Sequence, residues 1–168
     1  ANASTHETKA KRMHFSPESA RFMPTSKSTV ELLRMPTVPD DVMLNKAAVI
    51  ERSLKRVRAI YQSDPKLSTL MHLDALTLNV ERACQAAIDL AMHVVAVEHL
   101  GMPQSQADAF RLLRVADRID PSLADRMIGM CGFRNVLIHQ YQELETDRLH
   151  DVATQQWKDL VILCREFG

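Results

Sequence analysis

The chain has 168 residues, a length that fits one domain with a single substantial core. Its 21 basic and 21 acidic residues cancel, so the whole molecule lacks the charge excess of a nucleic-acid binder, and any such contact needs a local basic patch. Hydrophobic residues make up 46% of the chain, but aromatic residues only 5%, and there are four glycines. This composition favours an all-α helical bundle over a sheet.

The cysteines indicate a reducing compartment. Their number is odd, they lack CxxC spacing, and they fall in predicted helices: Cys84, Cys131 and Cys164. No apolar run approaches the roughly 18 residues of a membrane span, and no hydrophobic signal segment opens the chain. We therefore expect a cytoplasmic protein without a membrane anchor.

Residues 1–39 differ in composition from the rest of the chain, and we assign them to an N-terminal extension. Four prolines interrupt any long helix there: Pro17, Pro24, Pro36 and Pro39. One interpretation is a tag remnant or an upstream segment, with Met35 as a natural start of the domain. The alternative is a basic arm that contacts RNA or a partner through Lys9, Lys11 and Arg12. Residues 40–168 then form the helical domain.

Two helices are predicted in the first half of this domain. Apolar residues recur three and four positions apart from Asp40 or Asp41, which can cap the start, to the stop signal at Ser63–Pro65. The second helix is expected from about Leu70 to Leu100. It carries a long apolar stripe and a second face of small residues (Ala75, Ala86, Ala91). Two apolar faces place this helix at the centre of a bundle or at a subunit interface.

Three more helices complete the predicted bundle. Ser105 caps a third helix through about Arg118, with an inner face of Ala109, Phe110, Leu113 and Val115. Asp120 followed by Pro121 is a strong start signal for the fourth helix, and Thr146 caps the fifth. Five helices with short connections predict an up-and-down bundle.

The fourth helix carries an arrangement of polar residues that suggests chemistry. Arg134 is followed directly by Asn135, then by His139 five positions after the arginine, and by Tyr141. This RxxxxHxY pattern resembles the signature of the HEPN superfamily and, within it, that of the HepT toxins of HepT/MNT toxin–antitoxin pairs. The segments 79–90 and 109–113 are also similar to helices of HepT-type proteins, so the resemblance extends over about residues 42–168.

Helix geometry divides the motif between two faces. At about 100° per residue, Asn135 and His139 share one face and Arg134 and Tyr141 share another, whereas Arg134 and His139 diverge by roughly 140°. This divergence favours a site built at a two-fold interface, where the motifs of two subunits face one cleft. HEPN dimers resemble that arrangement, and we expect a homodimer.

These residue types suit RNA cleavage without a metal or another cofactor. The His139 imidazole, with an unperturbed pKa of about 6.5, can take the proton of a ribose 2′-hydroxyl. Arg134 offers a permanent charge and a planar fork to phosphate oxygens, and Asn135 can orient His139 or donate to phosphate. The resemblance further implies that Tyr141 accepts AMP from a partner, an MNT-type nucleotidyltransferase antitoxin, and that this modification silences the endoribonuclease.

Other interpretations of the same residues stay open. The chain could be a non-catalytic HEPN module that binds substrate or nucleotide for a nucleotidyltransferase, or a purely structural helical dimer. In either case Arg134 could pair with Glu143 or Glu145, and Tyr141 could be ordinary packing. The remaining histidines of the helical domain are interpreted as surface or hydrogen-bonded residues rather than metal ligands: His72, His93, His99 and His150.

Overall fold

A computed structural model of the chain describes residues 38–139 and 146–167, with the backbone alone at 138, 139, 146 and 147. The predicted extension lies almost wholly outside the described residues, so the proposed boundary after residue 39 stays a prediction. The described residues form helices and no strand, which confirms the all-α expectation. None of the described helices is both long and apolar enough to cross a membrane.

Five helices follow one another in the described part of the chain. They are α1 (Asp41–Ser63), α2 (Leu70–Val97), α3 (Gln106–Val115), α4 (Pro121–His139) and α5, which begins as Thr146–Asp151, continues as a π-helical segment at Val152–Gln156 and ends as Trp157–Phe167. The number and order of these helices agree with the sequence prediction.

The helix starts are set by side-chain caps, as the sequence predicts. Asp40 accepts a hydrogen bond from the backbone N–H of Met43 at 2.9 Å, and Ser105 accepts one from the N–H of Asp108 at 3.2 Å. Each bond satisfies one of the backbone donors that a helix leaves free at its N-terminus. Asp40 also bonds the His93 ring at 2.6 Å, and this contact, followed by the Met43 N–H, lowers the pKa of the Asp40 carboxyl.

Helix α2 is the centre of the bundle. It packs against α1, α3, α4 and the end of α5, and both of its predicted apolar faces are covered. Its buried residues include Leu76, Val80, Ala83, Ala86, Ala87, Leu90, Ala91 and Val94. Burial of each Leu or Val side chain contributes about 1.5–3 kcal/mol, so α2 is the element around which the others are held.

Two helix ends differ from the prediction. Helix α2 stops at Val97 rather than Leu100, because His99 (φ 54°) and Gly101 (φ 135°) adopt left-handed backbone conformations that end the helix. Helix α3 stops at Val115 rather than at about Arg118. Val115 is also 81% exposed and is not part of the inner face. On a helix, Val115 lies about 200° from the buried Leu113, so the predicted inner face was wrong at this position.

The π-helical segment in α5 was not predicted. Hydrophobic residues on both sides of it are buried, Leu149 before and Leu160 after, and the Thr154 hydroxyl donates to the His150 carbonyl at 2.7 Å. A π-helical turn holds one residue more than an α-helical one. The segment therefore takes up one extra residue while the apolar residues on both sides of it stay buried.

Candidate active site

Helix α4 presents the predicted motif from a fixed position in the bundle. Phe133 and Leu137 are buried, 9% and 3% exposed, and their burial sets the rotation of the helix on both sides of Arg134. Two glycines of the same helix, Gly129 and Gly132, are exposed, and a Cβ added to either would meet no described atom within 4 Å. The motif helix is thus anchored by its large apolar residues and accessible at its two glycines.

Arg134 is turned towards the central helix. Its Nη2 lies 3.2 Å from Oε1 of Glu81 on α2, and the side chains are 19% and 24% exposed. Its Nε is buried and has no hydrogen-bond partner among the described residues. The partner of Arg134 in the structure is therefore Glu81, whereas the two other carboxylates considered, Glu143 and Glu145, lie outside the described residues.

Asn135 lies on a different face from Arg134. It is exposed and lines a cleft of about 470 Å³ between α3 and α4, together with Gly132 and residues 105–107 at the start of α3. The backbone places position 139 one helical turn after Asn135, at the end of α4. The His139 side chain and Tyr141 lie outside the described residues, so their contacts stay predictions.

The cysteines near Arg134 are neutral thiols. Burial raises the pKa of Cys84 to about 12, and the negative charges of a neighbouring thiolate at Cys131 and of Glu81 add to the effect. Burial likewise raises the pKa of Cys131 to about 11. All three cysteines are free and buried, as expected for reduced core residues. A thiol with such a raised pKa is a poor nucleophile.

Three histidines, His72, His93 and His150, make local side-chain contacts. His72 bonds Asp64 at 3.0 Å, His93 bonds Asp40 at 2.6 Å, and His150 bonds the Tyr61 hydroxyl at 2.9 Å. These contacts confirm the interpretation of the three rings as hydrogen-bonded residues. No group of three His, Cys, Asp or Glu side chains within residues 38–139 and 146–167 is arranged to hold a metal ion.

Sequence reasoning missed Glu81 as a part of the site. The signal was present, because Glu81 lies in the middle of a helix predicted to be apolar on two faces, where a carboxylate needs a partner. Another carboxylate of α2, Asp89, also pairs with a cation of a neighbouring helix: Lys46 of α1, at 2.7 Å. The identity of each partner depends on helix packing and could not be read from spacing.

The fold and the motif together define a class, the HEPN-like helical bundles that carry Arg-x4-His on a single helix. The profile described as Ribonuclease HepT-like matches residues 50–167, and the chain belongs to this HepT-like family. The resemblance seen in the sequence is thereby confirmed, and so is the expectation of an enzyme, since the family is one of ribonucleases.

Relatives with established descriptions are similar over most of their length. The chain is 36% identical over 121 residues to the mRNA nuclease HepT of Shewanella oneidensis. The aligned residues cover 71% of this chain and 91% of that protein. Two solved structures share the fold. The tri-AMPylated HEPN toxin of Shewanella oneidensis in complex with its MNT antitoxin is 34% identical, with a TM-score of 0.71 over 76% of this chain and 96% of that one. A toxin–antitoxin complex with AMP-PNP is 33% identical, with a TM-score of 0.72 over 76% and 97%.

Proposed function

We propose that this protein is the endoribonuclease toxin of a toxin–antitoxin pair, active as a homodimer and silenced when an MNT-type antitoxin transfers AMP to Tyr141. The similarity to the mRNA nuclease HepT, which spans 91% of that relative, carries the proposal. The complete Arg134, Asn135, His139 and Tyr141 pattern on and after α4 supports it. RNA, and mRNA in particular, is the proposed substrate.

The proposed reaction is an attack of a ribose 2′-hydroxyl on the adjacent phosphorus. His139 takes the hydroxyl proton, the new O–P bond forms, and the bond to the 5′-oxygen breaks as that oxygen takes a proton from solvent. His139 then returns its own proton to solvent. The products are a 2′,3′-cyclic phosphate and a 5′-hydroxyl. Arg134 stabilises the charge that develops on the phosphate oxygens, and Glu81 holds one of its N–H groups while leaving others free. DNA lacks the nucleophile and should not be cut.

A dimer would bring the two faces of the motif together. Within one chain Arg134 points to α2 while Asn135 points to the cleft beside α3. The open space above Gly129 and Gly132 would let a second α4 approach closely. We propose that the two copies of α4 cross there, so that Arg134 of one protomer and His139 of its partner share a phosphate.

Modification of Tyr141 would block this cleft. Position 141 follows Arg134 by seven residues, which is about two helical turns if the helix continues. An AMP group there adds a negatively charged phosphodiester near the arginine and competes with RNA for it. The AMPylated HEPN toxin of Shewanella oneidensis supports this regulation by likeness.

The first test is cleavage of total RNA in the presence of a chelator by wild type and by the His139→Asn variant. The asparagine cannot take a proton near neutrality, so the variant should lose at least about 10²-fold of the rate. His99→Asn, which changes an exposed histidine just after α2, is the matched control and should cleave normally. Equal rates for the two variants would contradict the assignment of His139.

The second test addresses the partner. Incubation with the cognate nucleotidyltransferase and ATP should raise the intact mass of wild type by whole AMP units and abolish cleavage. Tyr141→Phe should stay active and unmodified under the same conditions. Modification of Tyr141→Phe to the same extent as wild type would place the acceptor elsewhere.

One observation favours the alternative of a non-catalytic module that binds substrate or nucleotide for a nucleotidyltransferase. Arg134 already has a carboxylate partner, Glu81, within the bundle, as a purely structural arginine would. The cleavage assay separates the two functions. If wild type with an unmodified Tyr141 leaves RNA intact, the protein is the binding module and not a nuclease.

A further inference from the structure

Positive charges are distributed unevenly over the described residues. The arginines of α3 and α4 are ion-paired: Arg111 with Asp108, Arg114 with Asp125, Arg126 with Asp159, and Arg134 with Glu81. The cations in the second half of α1 have no ion pair within the described part of the chain, and all of them are exposed: Arg52, Lys55, Arg56 and Arg58. Other exposed cations without a described ion pair, such as Lys66 and Arg82, stand apart along the chain, so α1 carries the densest group of them among the described residues.

These four cations form one continuous surface, which we call the α1 basic face. At about 100° per residue they spread over roughly half of the helix circumference, opposite the buried Ile50, Leu54 and Val57. Glu51 is the single carboxylate between residues 50 and 62. This face supplies the local basic patch that a neutral protein needs to bind a polyanion.

The α1 basic face borders a groove that contains an aromatic ring. The groove lies between α1 and α5, has a volume of about 410 Å³, and is lined by Glu51, Leu54, Lys55, Arg58, Trp157 and Val161 among others. The guanidinium carbon of Arg58 lies 4.9 Å from the centre of the Trp157 ring. Trp157 is half-buried, and its Nε1 donates to the Thr154 carbonyl at 3.3 Å, which holds the ring in place.

We infer that this groove binds single-stranded RNA, with phosphates contacted by Arg52, Lys55 and Arg56 and one base stacked on the Arg58–Trp157 pair. Single strands are held by basic grooves in which bases stack on aromatic rings or on arginine planes, and both parts are present here. An acidic protein partner would need the charges but not the ring. The inference rests on the proposed function, because RNA is the proposed substrate, and it assigns a place that holds the RNA outside the motif helix.

The binding test uses the His139→Asn variant, so that the RNA stays intact, and a labelled twelve-nucleotide single strand followed by fluorescence anisotropy. The added pair Arg52→Ala/Lys55→Ala should raise Kd by roughly tenfold near 0.1 M salt and reduce the slope of log K against log salt by about 1.4, the value for two lost phosphate contacts. The matched control is Lys66→Ala/Arg82→Ala, which removes the same charge from two other exposed positions without a described ion pair. We expect less than a threefold change in the control.

The stacking test uses intrinsic fluorescence, because Trp157 is the one tryptophan of the chain. A base stacked on the Arg58–Trp157 pair should change the tryptophan emission with the same Kd as the anisotropy signal. Arg58→Lys keeps the charge but removes the planar group, and it should weaken binding several-fold while leaving the salt slope unchanged. Anisotropy that saturates without any change in emission would overturn the stacked base.

The outcomes separate this inference from the proposed function. If wild type cleaves RNA but the α1 variants bind it as tightly as the control, the groove is not the RNA site and the nuclease stands. If wild type neither binds nor cleaves RNA, both proposals fail. If polyglutamate competes as well as RNA at equal charge, the α1 basic face recognises acidic proteins instead and the inference is overturned.

Discussion

At the scale of single residues, the contact between Arg134 and Glu81 links the motif to the core. Both side chains are about one-fifth exposed, so neither solvent nor salt screens the pair fully. The buried Nε of Arg134, which lacks a described partner, adds to the cost of disturbing the guanidinium. The pair thus restrains Arg134 before any substrate arrives.

We expect a double-mutant cycle of Glu81→Gln and Arg134→Gln to give a coupling energy of about 1–2 kcal/mol in denaturant unfolding. The more exposed pair Lys46–Asp89, whose side chains are 32% and 36% exposed, serves as the control and should give about 0.5 kcal/mol. A coupling energy for Glu81–Arg134 no larger than that of the control would show that the contact is incidental.

The thiols should be inert in the folded protein. Because burial raises the pKa of Cys84 to about 12 and those of Cys131 and Cys164 to about 11, less than roughly one thiol in a hundred is ionised at pH 8. Ellman's reagent at pH 8 should therefore react with none of the three within minutes, and with all three after unfolding in guanidinium.

The same raised pKa values have a consequence for stability. Unfolded thiols ionise near their ordinary pKa of 9.0, whereas the folded ones stay neutral up to about pH 11. The contribution of the buried neutral thiols to the free energy of unfolding is therefore complete below pH 9 and is lost as the pH rises from 9 to 11. Rapid labelling of one cysteine in the native state would contradict the burial of that residue.

Side-chain contacts between different helices are what the sequence alone could not predict. Arg134 and Asn135 were recognised because they lie in one short motif on one helix. Glu81 lies 53 positions before Arg134, and their contact depends on how α2 and α4 pack, which spacing within either helix does not encode. For the same reason the partner of Trp157, Arg58 on α1, could not be foreseen.

At the scale of elements, helix starts were predicted better than helix ends. The starts of α1 to α4 each carry a polar cap that acts within three residues, such as Asp40 or Ser105, whereas Thr146, predicted to cap α5, is the first residue of that helix. The end of α2 depends on left-handed conformations at His99 and Gly101, and a histidine gives no clear signal for one. The π-helical segment left no trace in the hydrophobic pattern, since Leu149, Ala153, Trp157 and Leu160 recur at ordinary helical spacing.

We expect removal of one residue from this segment to be tolerated. Because a π-helical turn holds one residue more than an α-helical one, deletion of the exposed Gln155 would leave a continuous α-helix with both parts of α5 near their present rotation, and Leu149 would stay buried. Unfolding in urea should show a loss of no more than about 1 kcal/mol.

The substitution Gln155→Ala is the control for this deletion, because it keeps the chain length and should change stability by less than about 0.5 kcal/mol. If the deletion cost about 3 kcal/mol more than Gln155→Ala, the loss expected when Leu149 leaves the core, the π-helical turn would not be the place that holds the extra residue.

At the scale of the whole molecule, the proposed dimer makes a definite demand on α4. The face with Gly129 and Gly132 must be covered by a second copy, although the described residues of one chain leave it open. A Cβ at position 132 would meet no described atom in a monomer, but a long side chain there would separate two crossing helices. The fold and the assembly can therefore be tested independently with a single substitution.

Gly132→Gln should fold with unchanged helix content and elute as a monomer, with a mass of 19.0 kDa in light scattering against twice that value for wild type. Cleavage of RNA should be lost with the dimer, because Arg134 and His139 would no longer meet. Ala96→Gln, at an exposed position of α2, is the control and should remain dimeric and active. A dimeric and active Gly132→Gln would place the interface on another face.

The cations of the α1 basic face also act at a distance, although the net charge of the chain is zero. A long polyanion would turn the protein during approach so that α1 leads, and this orientation acts before any contact forms. The association rate should then fall steeply with added salt, while the dissociation rate, set by stacking on Trp157, should change little. Stopped-flow measurement of both rates at two salt concentrations would distinguish electrostatic steering by the α1 basic face from binding without orientation during approach.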